Sequence, residues 1–303
     1  MKKYILPVSI NTATPLLEEK TYSWLWESGL VSSESRLKRM QDQKIMWFAG
    51  YLFPEIDPVK LELITRFFCC LFLFDDLLDE VAPKEAMYLL DALAVDTSEL
   101  SECTSLSSTK VLIDQLGNLI LSISLSGSEH WQAGFYASWR DYLKAQQWEV
   151  DNRKLGQAPS LPEYKEMRLF SSGVYLALHL LKVDGSNLDC SISWIEQKVG
   201  RIICLSNDLR SMEKERKDQD FHNELLLLQV QTGCSDSMIY GYANTQLEGL
   251  FDQLFKLLDM IKKKEGYSET WVNELLLLLG GCMYWSDQDT ARYGKSVNGI
   301  SKF

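Results

Sequence analysis

Proline is the residue that most constrains this chain. Its 303 residues contain seven, at Pro7, Pro15, Pro54, Pro58, Pro83, Pro159 and Pro162, and positions 163–303 contain none. Inside a helix, proline removes a hydrogen bond and costs about 3 kcal/mol relative to alanine. A long proline-free stretch is therefore open to long helices. No segment sustains the period-two alternation of a half-buried strand. The chain reads as all-α, and its 46% hydrophobic content is ample for a large core. Chains of this length form one large domain or two ordinary ones. No repeat, linker or compositional break divides this one, so residues 1–303 read as a single domain with an irregular N-terminal arm over 1–15.

Helices are expected at about 16–29, 34–52, 57–80, 83–94, 109–126, 129–155, 161–182, 189–217, 219–232, 236–264 and 268–293. Asp57, just before Pro58, is the expected N-cap of the 57–80 segment. Residues 96–108, rich in Ser, Thr and Glu, read as a surface loop, and Gly156 to Pro162 as a turn. Ser171-Ser172-Gly173 interrupts 161–182, and a mid-helix glycine costs about 1 kcal/mol, so a kink is expected there.

A net charge of −11 argues against a nucleic-acid partner, which needs clustered Lys and Arg. Lys262-Lys263-Lys264 is short and followed by Glu265, and reads as a solvated helix end. Seven cysteines without C-x-x-C spacing read as free thiols in a reducing compartment. His130, His179 and His222 form no paired zinc motif. The N-terminal apolar run is too short for a signal peptide, and no apolar stretch reaches about 18 residues. A cytoplasmic location without membrane anchor is expected.

Two acidic segments carry the chemistry. The first is Asp75-Asp76-Leu77-Leu78-Asp79, followed by Glu80; the second is Asn207-Asp208-Leu209-Arg210-Ser211-Met212-Glu213-Lys214-Glu215. Helical residues four apart lie about 40° apart around the axis. Asp75 and Asp79 therefore share a face, with Asp76 beside them. Asn207, Ser211 and Glu215 form an oxygen-lined stripe. Magnesium takes oxygen ligands, commonly one or two carboxylates plus substrate phosphates. The first segment also ends a helix, where acidic residues oppose the helix dipole and call for a cation. The apolar run Phe67 to Phe74 before it marks a buried helix.

These segments resemble the aspartate-rich DDxxD motif and the NDxxSxxKE metal motif of class I terpene synthases of the bacterial type. Arg168, 39 residues before Asn207, stands where that family has its pyrophosphate-sensing arginine, and Arg292-Tyr293 matches its Arg-Tyr pair. The resemblance implies a single-domain α-helical bundle and magnesium as cofactor, three ions, with manganese able to substitute. It implies Asp75, Asp76, Asp79, Asn207, Ser211 and Glu215 as metal ligands. Arg168, Lys214, Arg292 and Tyr293 become diphosphate contacts. Ser171, Ser172 and Gly173 take the positions of the family's catalytic helix break, and Ser171 departs from the acidic residue common there. Phe68, Phe72, Tyr284 and Trp285 are candidate cavity residues. The implied reaction is ionisation of a linear C15 or C20 prenyl diphosphate and cyclisation of the cation to a hydrocarbon or alcohol, by a monomer or homodimer. Plainer readings stand beside these. The first segment can be a solvated acidic helix end. The second can be an exposed face with pairs among Arg210, Glu213, Lys214 and Lys217. Arg168 can pair with Glu163 or Asp184, Arg292-Tyr293 can end a helix, and the aromatics can be core. A chain-elongating prenyl synthase and a non-catalytic isoprenoid-binding protein are the alternative functions.

Overall fold

The computed structural model describes residues 4–94, 107–182, 190–263 and 268–293. Most of the Ser-, Thr- and Glu-rich stretch, Asp184, Lys264 and Glu265 lie outside the described residues. Thirteen α-helices and no strand occur among them. They are α1 (Thr14–Glu27), α2 (Glu34–Asp42), α3 (Ile45–Leu52), α4 (Pro58–Glu80), α5 (Pro83–Ala94), α6 (Ser107–Ser124) and α7 (Glu129–Leu155), then α8 (Leu161–Ser171), α9 (Val174–Leu180), α10 (Cys190–Asp218), α11 (Glu224–Thr232), α12 (Asp236–Ile261) and α13 (Glu269–Tyr284). A π-helical turn, Trp285–Asp289, follows. None of the described helices is long and apolar enough to cross a membrane.

Local chemistry sets the helix that carries the first acidic segment. Asp57 accepts from the amides of Val59 (2.9 Å) and Lys60 (3.4 Å), with Pro58 in the first turn. That arrangement satisfies orphan amides and uses a residue that has none to offer. Leu61, Phe67, Cys70 and Phe74 are fully buried, so α4 is surrounded by protein along most of its length. It packs against α3, α6, α1 and α5. Burying one such aromatic is worth roughly 1.5–3 kcal/mol, which fixes the helix that ends in Asp75–Asp79. α10 packs against α12, α11, α8 and α13, and brings the second segment to face α4 across the bundle.

Three expected helices divide or stop early. The 34–52 segment breaks at Gln43–Lys44, where Lys44 adopts φ 47. The break frees carbonyls for the C-terminal segment: Asp42 accepts from the Ala291 amide, Gln43 from the Thr290 hydroxyl, and Lys44 from the Trp285 indole. The 268–293 segment is α-helical only to Tyr284, so Arg292 and Tyr293 lie beyond the helix rather than in its last turn. The 219–232 segment becomes helical only at Glu224, after a loop in which Gln219 has φ 58. The expected kink in 161–182 is a full break, with Gly173 at φ 69 between α8 and α9. Residues 4–13 are non-helical but anchored. Tyr4 stacks on Phe255 at 4.7 Å and its hydroxyl bonds to Asp252.

Candidate active site

A cavity of about 500 Å³ opens between α4, α7, the α8–α9 break, α10 and α13. That is the size of a small-molecule site. One end is apolar, walled by Phe48, Phe68, Phe72 and Trp285. These rings form one cluster around Phe48, at 5.3 Å from Phe68, 5.4 Å from Phe72 and 4.7 Å from Trp285. Tyr284 turns away: it is 40% exposed and its ring lies tilted against Tyr51, outside the cavity lining. Its neighbour Trp285 points inward instead, since adjacent helical residues take different faces. Phe72 has the Arg292 guanidinium over its ring at 5.1 Å, which places it at the junction of the apolar and polar ends.

The polar end collects the two acidic segments and four cationic or hydroxylic groups. Asp75, Asp79, Asn207, Ser211 and Glu215 line the same space as Arg168, Lys214, Arg292 and Tyr293. Asp76 turns aside from the cavity and accepts from Arg292 at 2.8 Å. Arg292 also pairs with Asp75 at 3.4 Å. Asp79 pairs with Arg153 of α7 at 3.0 Å. Arg168 donates to Asn207 Oδ1 (2.9 Å), and Asn207 Nδ2 donates to the Tyr293 hydroxyl (2.7 Å). Ser211 donates to the Asn207 carbonyl at 2.9 Å, and Glu215 accepts from Asn223 at 2.6 Å. Ser171, Ser172 and Gly173 border the cavity opposite the aromatic wall's helices, on the α8–α9 break.

The acids sit in surroundings that resist their charge. Asp75 keeps 44% of its side chain open, yet the protein mass around the cleft pushes its carboxyl upward, against the opposing pull of Arg292. Burial and the neighbouring Asp75 push Asp79 to about 7. Burial and Asp208 push Glu215 to about 8. Glu149 of α7 adds a buried carboxylate oxygen with no hydrogen-bond partner. Among the described residues, no three His, Cys, Asp or Glu come close enough to form a metal centre by themselves. The set fits magnesium in its other mode, in which each stripe gives one or two oxygens and substrate phosphates complete the shell. Asp75 and Asp79 on one side, and Asn207, Ser211 and Glu215 on the other, are the residues that would hold it.

Several side chains around the site have partners that the sequence alone does not assign. Asp208, inside the second segment, faces away from the cavity. Its Oδ2 accepts from the Tyr164 hydroxyl and the Glu224 amide, each at 3.0 Å, and its Oδ1 lies 3.4 Å from Arg168 Nε. It thus fixes the guanidinium that reaches Asn207. Glu149 and Arg153 stand four apart on α7, and that spacing was the available signal. Phe48, half-buried, sits in an aromatic run that reads equally as core.

Comparison with known proteins shows the family and the fold. The family described as "Terpene synthase family 2, C-terminal metal binding" matches residues 66–253, more than half of the chain. The chain belongs to the terpene synthase family. A (+)-T-muurolol synthase of Roseiflexus castenholzii, described as (2E,6E)-farnesyl diphosphate cyclizing, is 26% identical over 242 residues, 75% of this chain and 72% of its own. A (-)-delta-cadinene synthase of Streptomyces clavuligerus is 24% identical over 272 residues, 83% of this chain and 81% of its own. Among solved structures, linalool/nerolidol synthase from Streptomyces clavuligerus superposes with a TM-score of 0.81 at 16% identity, over 94% of this chain and 100% of that one. A cucumene synthase variant superposes at 0.79 with 20% identity, over 95% and 98%. The fold is therefore that of a class I terpene synthase, and the chain is an enzyme of the terpene synthase family.

Proposed function

We propose that this terpene synthase ionises farnesyl diphosphate and cyclises the resulting allylic cation to a sesquiterpene hydrocarbon or alcohol. The observation that carries the reading is one cavity with a polar end and an aromatic end, of a size to take one prenyl chain. The C15 length is supported by a similar protein whose description names farnesyl diphosphate. Magnesium, when bound, supplies charge neutralisation of the diphosphate.

The chain's own residues divide the remaining work. Arg168, Lys214, Arg292 and Tyr293 present donors to the diphosphate at the polar end, and Arg suits this because its fork binds phosphate bidentately. These donors stabilise negative charge that grows as the C1–O bond breaks and its electron pair leaves on the diphosphate oxygen. All four border the cavity. Phe48, Phe68, Phe72 and Trp285 offer ring faces to the cation that remains on the hydrocarbon. The same wall excludes water until the cation has closed on a distant double bond. The Ser171–Gly173 break brings irregular backbone against the reacting chain, which is the contribution assigned to it.

Incubation with the C10, C15, C20 and C25 diphosphates, read by gas chromatography–mass spectrometry, tests the reading. A cyclic C15 product, with less from the other lengths, is expected. A longer linear product in the presence of isopentenyl diphosphate, with no cyclic one, would assign the chain to elongation instead.

A further inference from the structure

The second acidic segment contains a residue that the chemistry above leaves unused. Arg210 sits one helical turn beyond Asn207 on α10. Its side chain is 5% exposed and pairs with Asp287, itself 9% exposed. Asp287 belongs to the π-helical turn that separates α13 from Arg292 and Tyr293. π-Helical turns are frequent at functional places. On its other side this turn is fastened to the α2–α3 junction. The Trp285 indole donates to the Lys44 carbonyl at 2.9 Å, and the Thr290 hydroxyl to the Gln43 carbonyl at 2.7 Å. Asp289 accepts from Lys44 (2.9 Å) and from the Tyr51 hydroxyl (2.8 Å). The Lys44–Asp289 pair is partly open to water and correspondingly weak. The Arg210–Asp287 pair is closed off from water, and it ties the turn to the helix that carries Asn207, Ser211 and Glu215.

We propose that Arg210 and Asp287 form a positioning clasp that holds Arg292 and Tyr293 in register with Asn207 and Arg168. Arg210 touches neither diphosphate nor hydrocarbon in this assignment. It acts through the turn. Two bonds from one face of α10 reach the C-terminal segment, Arg210 to Asp287 and Asn207 to Tyr293. The first fixes where the second falls. A guanidinium suits the task because its rigid fork is directional, which an apolar contact is not. The activity part of the test rests on the reading under Proposed function, while the exchange part does not.

The test uses hydrogen exchange of the full chain without metal or substrate, together with steady-state kinetics on farnesyl diphosphate with magnesium. In Arg210→Gln and Asp287→Asn, amides of 285–293 should exchange roughly tenfold faster or more, with α4 and α7 unchanged. Misplacement by about 1 Å costs on the order of 10²-fold in rate, so kcat/KM should fall by about that factor. Arg210→Lys should recover part of both losses, since it keeps the charge but not the fork. Breaking one side of a buried pair can also unfold a protein, whereas replacing both sides with apolar groups is often neutral. The double variant Arg210→Met with Asp287→Leu therefore decides the matter. A folded double variant with fast exchange at 285–293 and low kcat/KM supports the clasp. A folded double variant with wild-type exchange there, or with wild-type kcat/KM, overturns it. If the wild type turns over no prenyl diphosphate, the functional reading fails and the exchange result still judges the clasp.

Discussion

Arg168 is the residue on which the polar end turns. Asp208 steadies it from behind, and its own donor reaches Asn207 Oδ1 at 2.9 Å. Arg168→Lys keeps the charge and loses the fork, so kcat should fall by about 10²-fold, the usual worth of one transition-state donor. Circular dichroism should remain that of the wild type, and near-wild-type turnover would remove Arg168 from the mechanism. His179 gives a second prediction, about stability rather than rate. It lies on α9 and packs on α7, buried, with Nε2 3.0 Å from the Trp131 carbonyl and its ring tilted against Trp131. Burial and the nearby Lys182 and His130 charges hold its pKa down at about 4, with the Trp131 carbonyl opposing. The folded value lies below the unfolded value of about 6.5, so the unfolded chain takes up the proton first. The stability contributed by neutral His179 is complete above about 6.5 and is lost as pH falls toward 4. Melting temperatures measured at pH 7 and pH 5 should therefore differ less in His179→Gln than in the wild type. Equal differences would show that His179 does not titrate with folding. Neither Asp208's rearward role nor Arg153's grip on Asp79 could be read along the sequence, because each depends on a partner from a distant helix. The two oxygen-lined stripes could be read, because helical spacing alone puts their members on one face.

At the scale of elements, α4 and α7 follow local signals closely. Asp57-Pro58 starts α4, Ser128 caps α7, and Gly156 ends α7 in the left-handed region at φ 61. The α2–α3 break and the early end of α13 have no such signals. They are made by each other, since carbonyls of 42–44 leave the helix to receive donors from 285–291. A reading that scores each segment alone runs straight through both. The same docking squeezes α13, whose inner residues Leu278, Cys282 and Met283 line the cavity. A Cβ on Gly281 would lie 2.1 Å from the Tyr51 carbonyl oxygen, and one on Gly280 2.1 Å from that of Pro7. Those obstacles are backbone and cannot swing aside. Gly281→Ala should thus cost about 1–3 kcal/mol, as overpacking does, even though alanine favours helices. Urea denaturation would read it, and an unchanged or raised midpoint would mean that α13 is not held against α3 as described.

At the scale of the whole molecule, the described helices pack around the cavity, with a carboxylate-rich rim that the protein's own arginines only partly neutralise. Asp75 and Asp76 lean on Arg292, and Asp79 on Arg153. Glu215 remains pushed up to about 8 by burial and Asp208. Cation and diphosphate together should therefore stabilise the fold more than either does alone. At about 100 times Kd, binding contributes about 2.7 kcal/mol. For a chain of this size that corresponds to a rise of roughly 4 °C in Tm. Differential scanning fluorimetry with magnesium, inorganic pyrophosphate and both would show it, and a response to both that is no larger than to one would contradict the shared rim. The central claim is that the two acidic segments and the aromatic wall serve a single reaction. Its most direct measurement follows farnesyl diphosphate with two simultaneous readouts, inorganic pyrophosphate released and cyclic hydrocarbon or alcohol formed. With magnesium, both should appear together in equal amounts. In chelator, both should stop, and they should return when magnesium is restored. Turnover that persists in chelator, or pyrophosphate release with no cyclic product, would contradict the account.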